Sequence, residues 1–118
     1  MPQVSVVIPF RNSDGYIADC LQSVVAQTLS DLEVICVDNG STDRSRSFAE
    51  QFCARDKRLL LISCHQTGAG HARNAGMAVA QGDFLAFVDA DDVLPHRTSL
   101  ERLYLGALAS GSDLTRGN

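Results

Sequence analysis

Tryptophan is absent, proline occurs only three times, and aromatic residues make up 6% of the 118 positions. So few prolines exclude proline-rich, collagen-like or linker character and leave room for regular structure throughout. No apolar run approaches the roughly 18 residues that a membrane helix needs. Met1-Pro2-Gln3 leads directly into Val4–Ile8, without a basic segment followed by a long apolar one, which argues against a signal peptide. Basic charge is short too: ten Lys plus Arg stand against fourteen Asp plus Glu, a formal net charge of −4. A general nucleic-acid binder would show a basic patch instead. Cys20, Cys36, Cys53 and Cys64 include no CxxC pair, and no two histidines have zinc-ligand spacing. Three of the four fall in apolar periodic segments, as small buried hydrophobes in a reducing cytosol do.

What is present is ordinary for a folded chain, 45% apolar and 20% charged. At about 150 residues per domain, the length implies one domain. A chain of this size buries roughly two thirds of its unfolded surface. The hydrophobic pattern alternates strand with helix. Val4–Ile8 is a β-branched run that reads as a buried strand ending at Pro9, because proline cannot continue a central ladder. Ser13 or Asp14 is a candidate helix cap, and Ile17, Cys20, Leu21, Val24 and Val25 follow as one helical stripe. Leu32 and Val34–Val37 make a second strand, and a helix with Phe48, Ala49, Phe52 and Cys53 inward comes next. Leu59–Ile62 is a third strand. Thr67-Gly68-Ala69-Gly70 leads into a small-residue helix carrying Ala72, Ala75, Gly76, Val79 and Ala80. Phe84–Val88 is a fourth strand. A last helix carries Leu100, Leu103, Tyr104, Ala107 and Leu108, with Gly111 as its stop, and Asp113–Arg116 begins a fifth strand. Short connections between alternating strands and helices predict an α/β fold. Its form is a three-layer α/β/α sandwich around a mostly parallel, Rossmann-like sheet.

In such sheets ligands bind beyond the carboxyl ends of the strands, at the topological switch point. Each strand is followed by polar residues: Pro9-Phe10-Arg11-Asn12, Asp38 to Asp43, His65 to Gly68, and Asp89-Ala90-Asp91-Asp92. A purely structural protein does not need all four. Asp89 and Asp91 at i and i+2 of an extended chain would project to one side. Paired carboxylates suit Mg²⁺ or Mn²⁺, which take one or two of them and complete six oxygens with water and phosphates. The competing reading makes Asp91 or Asp92 a helix cap. Asp38 stands where nucleotide-binding sheets place an acidic residue, but no GxGxxG follows the first strand and no GxxxxGK[ST] occurs. Arg73, in the first turns of the helix after the glycines, can meet a phosphate. His65 and His96 read as ordinary surface or cap residues.

Together Val4-Ser5-Val6-Val7-Ile8-Pro9, Val37-Asp38-Asn39-Gly40-Ser41-Thr42-Asp43, Ala72-Arg73-Asn74-Ala75-Gly76 and Asp89-Ala90-Asp91-Asp92 resemble family 2 glycosyltransferases of the GT-A fold. The resemblance covers essentially the whole chain. It implies a single nucleotide-diphospho-sugar-binding domain over residues 1–118, the amino-terminal part of a longer cytoplasmic enzyme, with the inner face of a membrane as the alternative location. It also implies an inverting, metal-dependent transfer from a nucleotide-diphospho-sugar, a UDP-sugar first, to a saccharide or lipid-linked acceptor of cell-wall or exopolysaccharide synthesis. Pro9, Phe10 and Arg11 would border base and ribose, Asp38 and Asn39 the base, and Arg73 the diphosphate or ribose. Asp89 would contact ribose or support the metal (Mn²⁺ or Mg²⁺), and Asp91 would ligate it, with Asp92 competing for that role. The family often has Asp where Asn39 stands. The catalytic base would lie after Asn118. The alternatives are a nucleotidyltransferase, whose usual glycine-rich basic loop is missing here, and a non-catalytic nucleotide-binding or interaction domain of the same fold.

Overall fold

A computed structural model describes residues 2–110, with side chains through residue 106. The expected fifth strand at 113–116 and the stop at Gly111 lie outside the described residues, as do the side chains of Ala107 and Leu108. The elements are β1 (Val4–Phe10), α1 (Ile17–Val25), β2 (Leu32–Asp38), α2 (Ser45–Arg55), β3 (Leu59–Ser63), α3 (Ala69–Val79), β4 (Phe84–Phe87) and α4 (Ser99–Ser110). The four strands are parallel and ordered β3-β2-β1-β4. The chain steps outward from β1 to β3 and then returns across the sheet to the far side of β1. The strand order therefore reverses between β1 and β4.

Period-two alternation divides the strands between two cores. Val4, Val6 and Ile8 face Ile17, Leu21 and Val24 of α1, Ala49 of α2 and Leu100 of α4. Val7, Ile35 and Val37 face Ala72 of α3 on the other side. Val4 through Ile8 are all fully buried, which explains why β1 reads as a continuous apolar run instead of an alternating one. Each fully buried Ile, Leu or Val contributes about 1.5–3 kcal/mol of transfer free energy. On the α3 side a Cβ on Gly76 would collide with Cγ1 of Val7 and lie 3.3 Å from Cγ2 of Val37. The small-residue helix is therefore pressed close against the sheet. Val79 stays 40% exposed and Leu103 39%, so neither is the core residue its periodicity predicts.

Two further expectations are corrected. β1 runs through Pro9 to Phe10, with Pro9 in register with Val37 of β2. The carbonyl of Val7 accepts the amide of Val88, so backbone groups at positions of that parity face β4. Pro9 shares the parity, and β4 has ended by then, at the partner of Val7. The missing N–H costs no rung toward β2. The second correction concerns α1, which starts at Ile17 without a side-chain cap. The carbonyl of Ser13 accepts the amides of Tyr16 (2.9 Å) and Ile17 (2.8 Å) instead.

Candidate functional site

The strand reversal opens a cleft of about 610 Å³ at the carboxyl ends of β1 and β4. Pro9, Phe10 and Arg11 from the end of β1, Asn39 from the end of β2, and Asp89 and Asp91 from beyond β4 line it. Asn12, Tyr16 and Thr67–Ala69 also line it, and motif spacing did not single out Tyr16. The ring of Phe10 is buried with only 3% exposure, whereas Tyr16 is 61% exposed. Tyr16 is thus the aromatic at the cleft with a face open to solvent. It follows the β1 motif by only a few residues, but nothing in its own neighbourhood marks it as a wall.

At the end of β2 two adjacent polar residues are buried. Asp38 accepts the Ser41 amide on Oδ1 (2.9 Å) and the Arg46 guanidinium on Oδ2 (3.1 Å). Its carboxylate points away from the cleft, into the β2–α2 turn. Asn39 bridges to the β3–α3 loop. Its Nδ2 donates to the carbonyls of Cys64 (3.2 Å) and Gln66 (2.8 Å), and its Oδ1 accepts the Gly68 amide (2.9 Å). Gly68 has φ +129°, a conformation that favours glycine, and this lets the loop turn sharply into α3.

The β1–α1 loop is strapped to the β2–α2 loop. Oδ1 of Asn12 accepts the Thr42 amide (2.7 Å), and the amides of Asn12, Ser13 and Asp14 donate to Ser41 Oγ, Ser45 Oγ and Asp43 Oδ2. Asp43 also accepts the Ser45 amide at the start of α2; against some desolvation, hydrogen bonds from the Ser45 hydroxyl and amide and from the Asp14 amide hold its carboxyl below the usual range. Ser13 and Asp14, expected as caps, serve this strap through their backbone amides. The signal was hard to read because the partners lie about thirty positions away.

Beyond β4 the chain turns at once. The Asp92 amide donates to the Asp89 carbonyl (3.0 Å), so this turn brings the carboxylates together where strand alternation was expected to. Asp89, Asp91 and Asp92 are exposed and present carboxylate oxygens within 4.8 Å of one another. Arg73 reaches toward them from α3, with Nη2 3.8 Å from Asp89 Oδ1. Its Nε is buried and lacks a partner among the described residues. Below the turn, the Cys20 thiol donates to the Asp89 carbonyl (3.5 Å). Burial pushes that thiol up to about 12, with the carboxylates of Asp92, Asp91 and Asp89 adding to the shift. Three carboxylates this close repel unless a cation joins them. Oxygen-only donors open to water fit Mg²⁺ or Mn²⁺, which retain waters and phosphate oxygens in their shells. His65 and His96 are exposed and stand outside the cleft wall.

The family model Glycosyl transferase family 2 matches residues 5–117. Glycosyltransferase GlyG of Streptococcus pneumoniae is 35% identical to this chain over 118 residues, covering 98% of the chain and 38% of that protein. Among solved structures, S. aureus TarS 1–349 in complex with UDP-GlcNAc matches with a TM-score of 0.81 and 30% identity, over 91% of this chain and 31% of that one. Mannosyltransferase PcManGT from Pyrobaculum calidifontis, in complex with GDP-Man and Mn²⁺, matches with a TM-score of 0.79 and 29% identity, over 86% and 31%. The chain spans well under half the length of the curated relatives it matches. No helix among the described residues is long and apolar enough to cross a membrane.

Proposed function

The chain belongs to glycosyl transferase family 2, and on that premise we propose that its cleft is the donor half of an inverting, metal-dependent glycosyltransferase site. The donor is a nucleotide-diphospho-sugar, a UDP-sugar first, and the acceptor a saccharide or lipid-linked hydroxyl. One observation carries the reading: three carboxylates gathered within 4.8 Å at the strand reversal, with the Arg73 guanidinium beside them. That pairing of acidic and basic groups suits a cation bridged to a diphosphate. It is harder to explain for an interaction surface.

Asp91 and Asp92 would hold Mn²⁺ or Mg²⁺, and Asp89 would either contact ribose or support the cation. The bound ion would supply Lewis-acid neutralisation of the charge that develops on the departing diphosphate. Arg73 would bind a phosphate or ribose oxygen, and its half-exposed guanidinium leaves donors free for this. Pro9, Phe10 and Arg11 would border base and ribose, with Arg11 and Tyr16 offering the open surfaces. Asp38 and Asn39 would shape the base end from behind, since both side chains already bond to the protein. A cytoplasmic setting fits the donor class, and so does a role in cell-wall or exopolysaccharide synthesis.

The test is a thermal melt with UDP, with and without Mn²⁺, for wild type and Asp91→Ala. Ligand at a hundredfold its Kd stabilises by about 2.7 kcal/mol, a rise of several degrees in Tm. The rise should need Mn²⁺ in wild type and disappear in Asp91→Ala. No metal-dependent rise in wild type would refute the donor reading.

A further inference from the structure

Between β4 and α4 the chain runs about ten residues without a strand or a full helix. The backbone groups of such a segment need partners from elsewhere. α1 and the turn after it supply them through three polar residues at i, i+3 and i+7: Cys20, Ser23 and Gln27. The Cys20 thiol donates to the Asp89 carbonyl. The Ser23 hydroxyl accepts the Leu94 amide (3.0 Å) and donates to the Cys20 carbonyl (2.7 Å). Gln27, 7% exposed, donates through Nε2 to the His96 carbonyl (2.8 Å) and accepts the Leu100 amide on Oε1 (2.9 Å). None of the three lines the cleft.

We propose that Cys20, Ser23 and Gln27 are positioning residues for the acidic turn. By fixing the backbone from Asp89 to Leu100, they hold the three carboxylates in one place and so set the affinity for a divalent cation. The cation part rests on the donor reading above. The positioning part does not.

The test uses Ser23→Ala, Ser23→Thr and Gln27→Met, with two readouts. The first is hydrogen exchange of the Asp92 amide without metal, a group that none of the three residues touches. The second is Mn²⁺ affinity, read from the electron paramagnetic resonance of the free ion. Ser23→Ala and Gln27→Met should each speed Asp92 exchange about tenfold, the scale of one lost hydrogen bond, with β1 and β2 unchanged. Mn²⁺ binding should weaken about threefold or more in both, and Ser23→Thr, which keeps the hydroxyl, should restore both readouts. Unaltered Asp92 exchange in the folded variants would overturn the positioning role. Faster exchange with unaltered Mn²⁺ affinity would overturn its link to the cation. Faster exchange in a protein whose wild type holds no Mn²⁺ would uphold the positioning role and overturn the donor reading. If Gln27→Met fails to fold, the Ser23 pair decides alone.

Discussion

Asn39 and Gly68 are joined by a 2.9 Å hydrogen bond from the Gly68 amide to Asn39 Oδ1, which fixes the start of α3 to the end of β2. The same side chain donates to two carbonyls, so its amide is used on both sides. An aspartate there would set a carboxylate against both carbonyl oxygens. Asn39→Asp should destabilise the fold by about 1–3 kcal/mol at pH 7. Some of that stability should return as the pH falls and the carboxyl, protonated, donates one bond. Urea denaturation at pH 7 and pH 5 measures both effects. Wild-type stability at pH 7 would mean that the loop is held by other contacts.

Arg73 beside Asp89 predicts two effects of opposite sign. Arg73→Ala removes a positive charge from the acidic turn, so Mn²⁺ alone should bind a few times more tightly. UDP should bind a few times more weakly, through the lost phosphate contact. Both changes are limited by the exposure of the pair, which is worth no more than about 1 kcal/mol. Calorimetric titration of Mn²⁺ alone, and of UDP at saturating Mn²⁺, resolves them. A fall in both affinities would show that Arg73 acts through the fold.

Gly76→Ala adds a methyl group against Val7, a fully buried side chain with nowhere to go. Overpacking costs about 1–3 kcal/mol and outweighs the roughly 1 kcal/mol gained in helix propensity. Gly106→Ala in α4 meets nothing within 4 Å among the described residues and should be neutral or stabilising. Melting temperatures of the two variants should therefore move apart, and a rise for both would contradict the close packing of α3.

Asp56 gives a pH dependence of definite sign. The Arg58 guanidinium bonds both of its oxygens, at 3.0 and 3.2 Å from Nε and 2.7 Å from Nη2, and holds its carboxyl below the usual range. A depressed carboxyl stabilises the fold above its unfolded pKa, near 3.9, and the gain is lost as pH falls through the lower folded value. Asp56→Asn should be slightly less stable than wild type at pH 7, by at most about 1 kcal/mol. The gap should close below about pH 4. A gap independent of pH would assign the effect to packing.

The four strands were readable because each is a short apolar run bounded by polar turns, a pattern that burial on both faces demands of β1 and β2. The cluster at the strand ends was readable for a related reason, since parallel topology brings every strand-to-helix loop to one edge. What local patterns could not convey were partnerships made across the fold. The propensities of Ser13 and Asp14 suit a cap, yet their amides are claimed by Ser45 and Asp43. Spacing suggested that Asp89 and Asp91 share a side by strand alternation, but a turn closed by the Asp92 amide brings them together. Cys20 sits in an apolar helical stripe with Ser23 at its edge, and nothing local shows that the segment after β4 depends on them.

Pro9 gives the cleft a guarantee at the level of the backbone. Continuing the β1–β4 ladder by one rung would need an N–H at position 9 for the carbonyl of Val88. Proline has none to offer, so that rung cannot form where the strand order reverses. A hydrogen bond that the chain is unable to make thus acts as a wedge at the floor of the cleft.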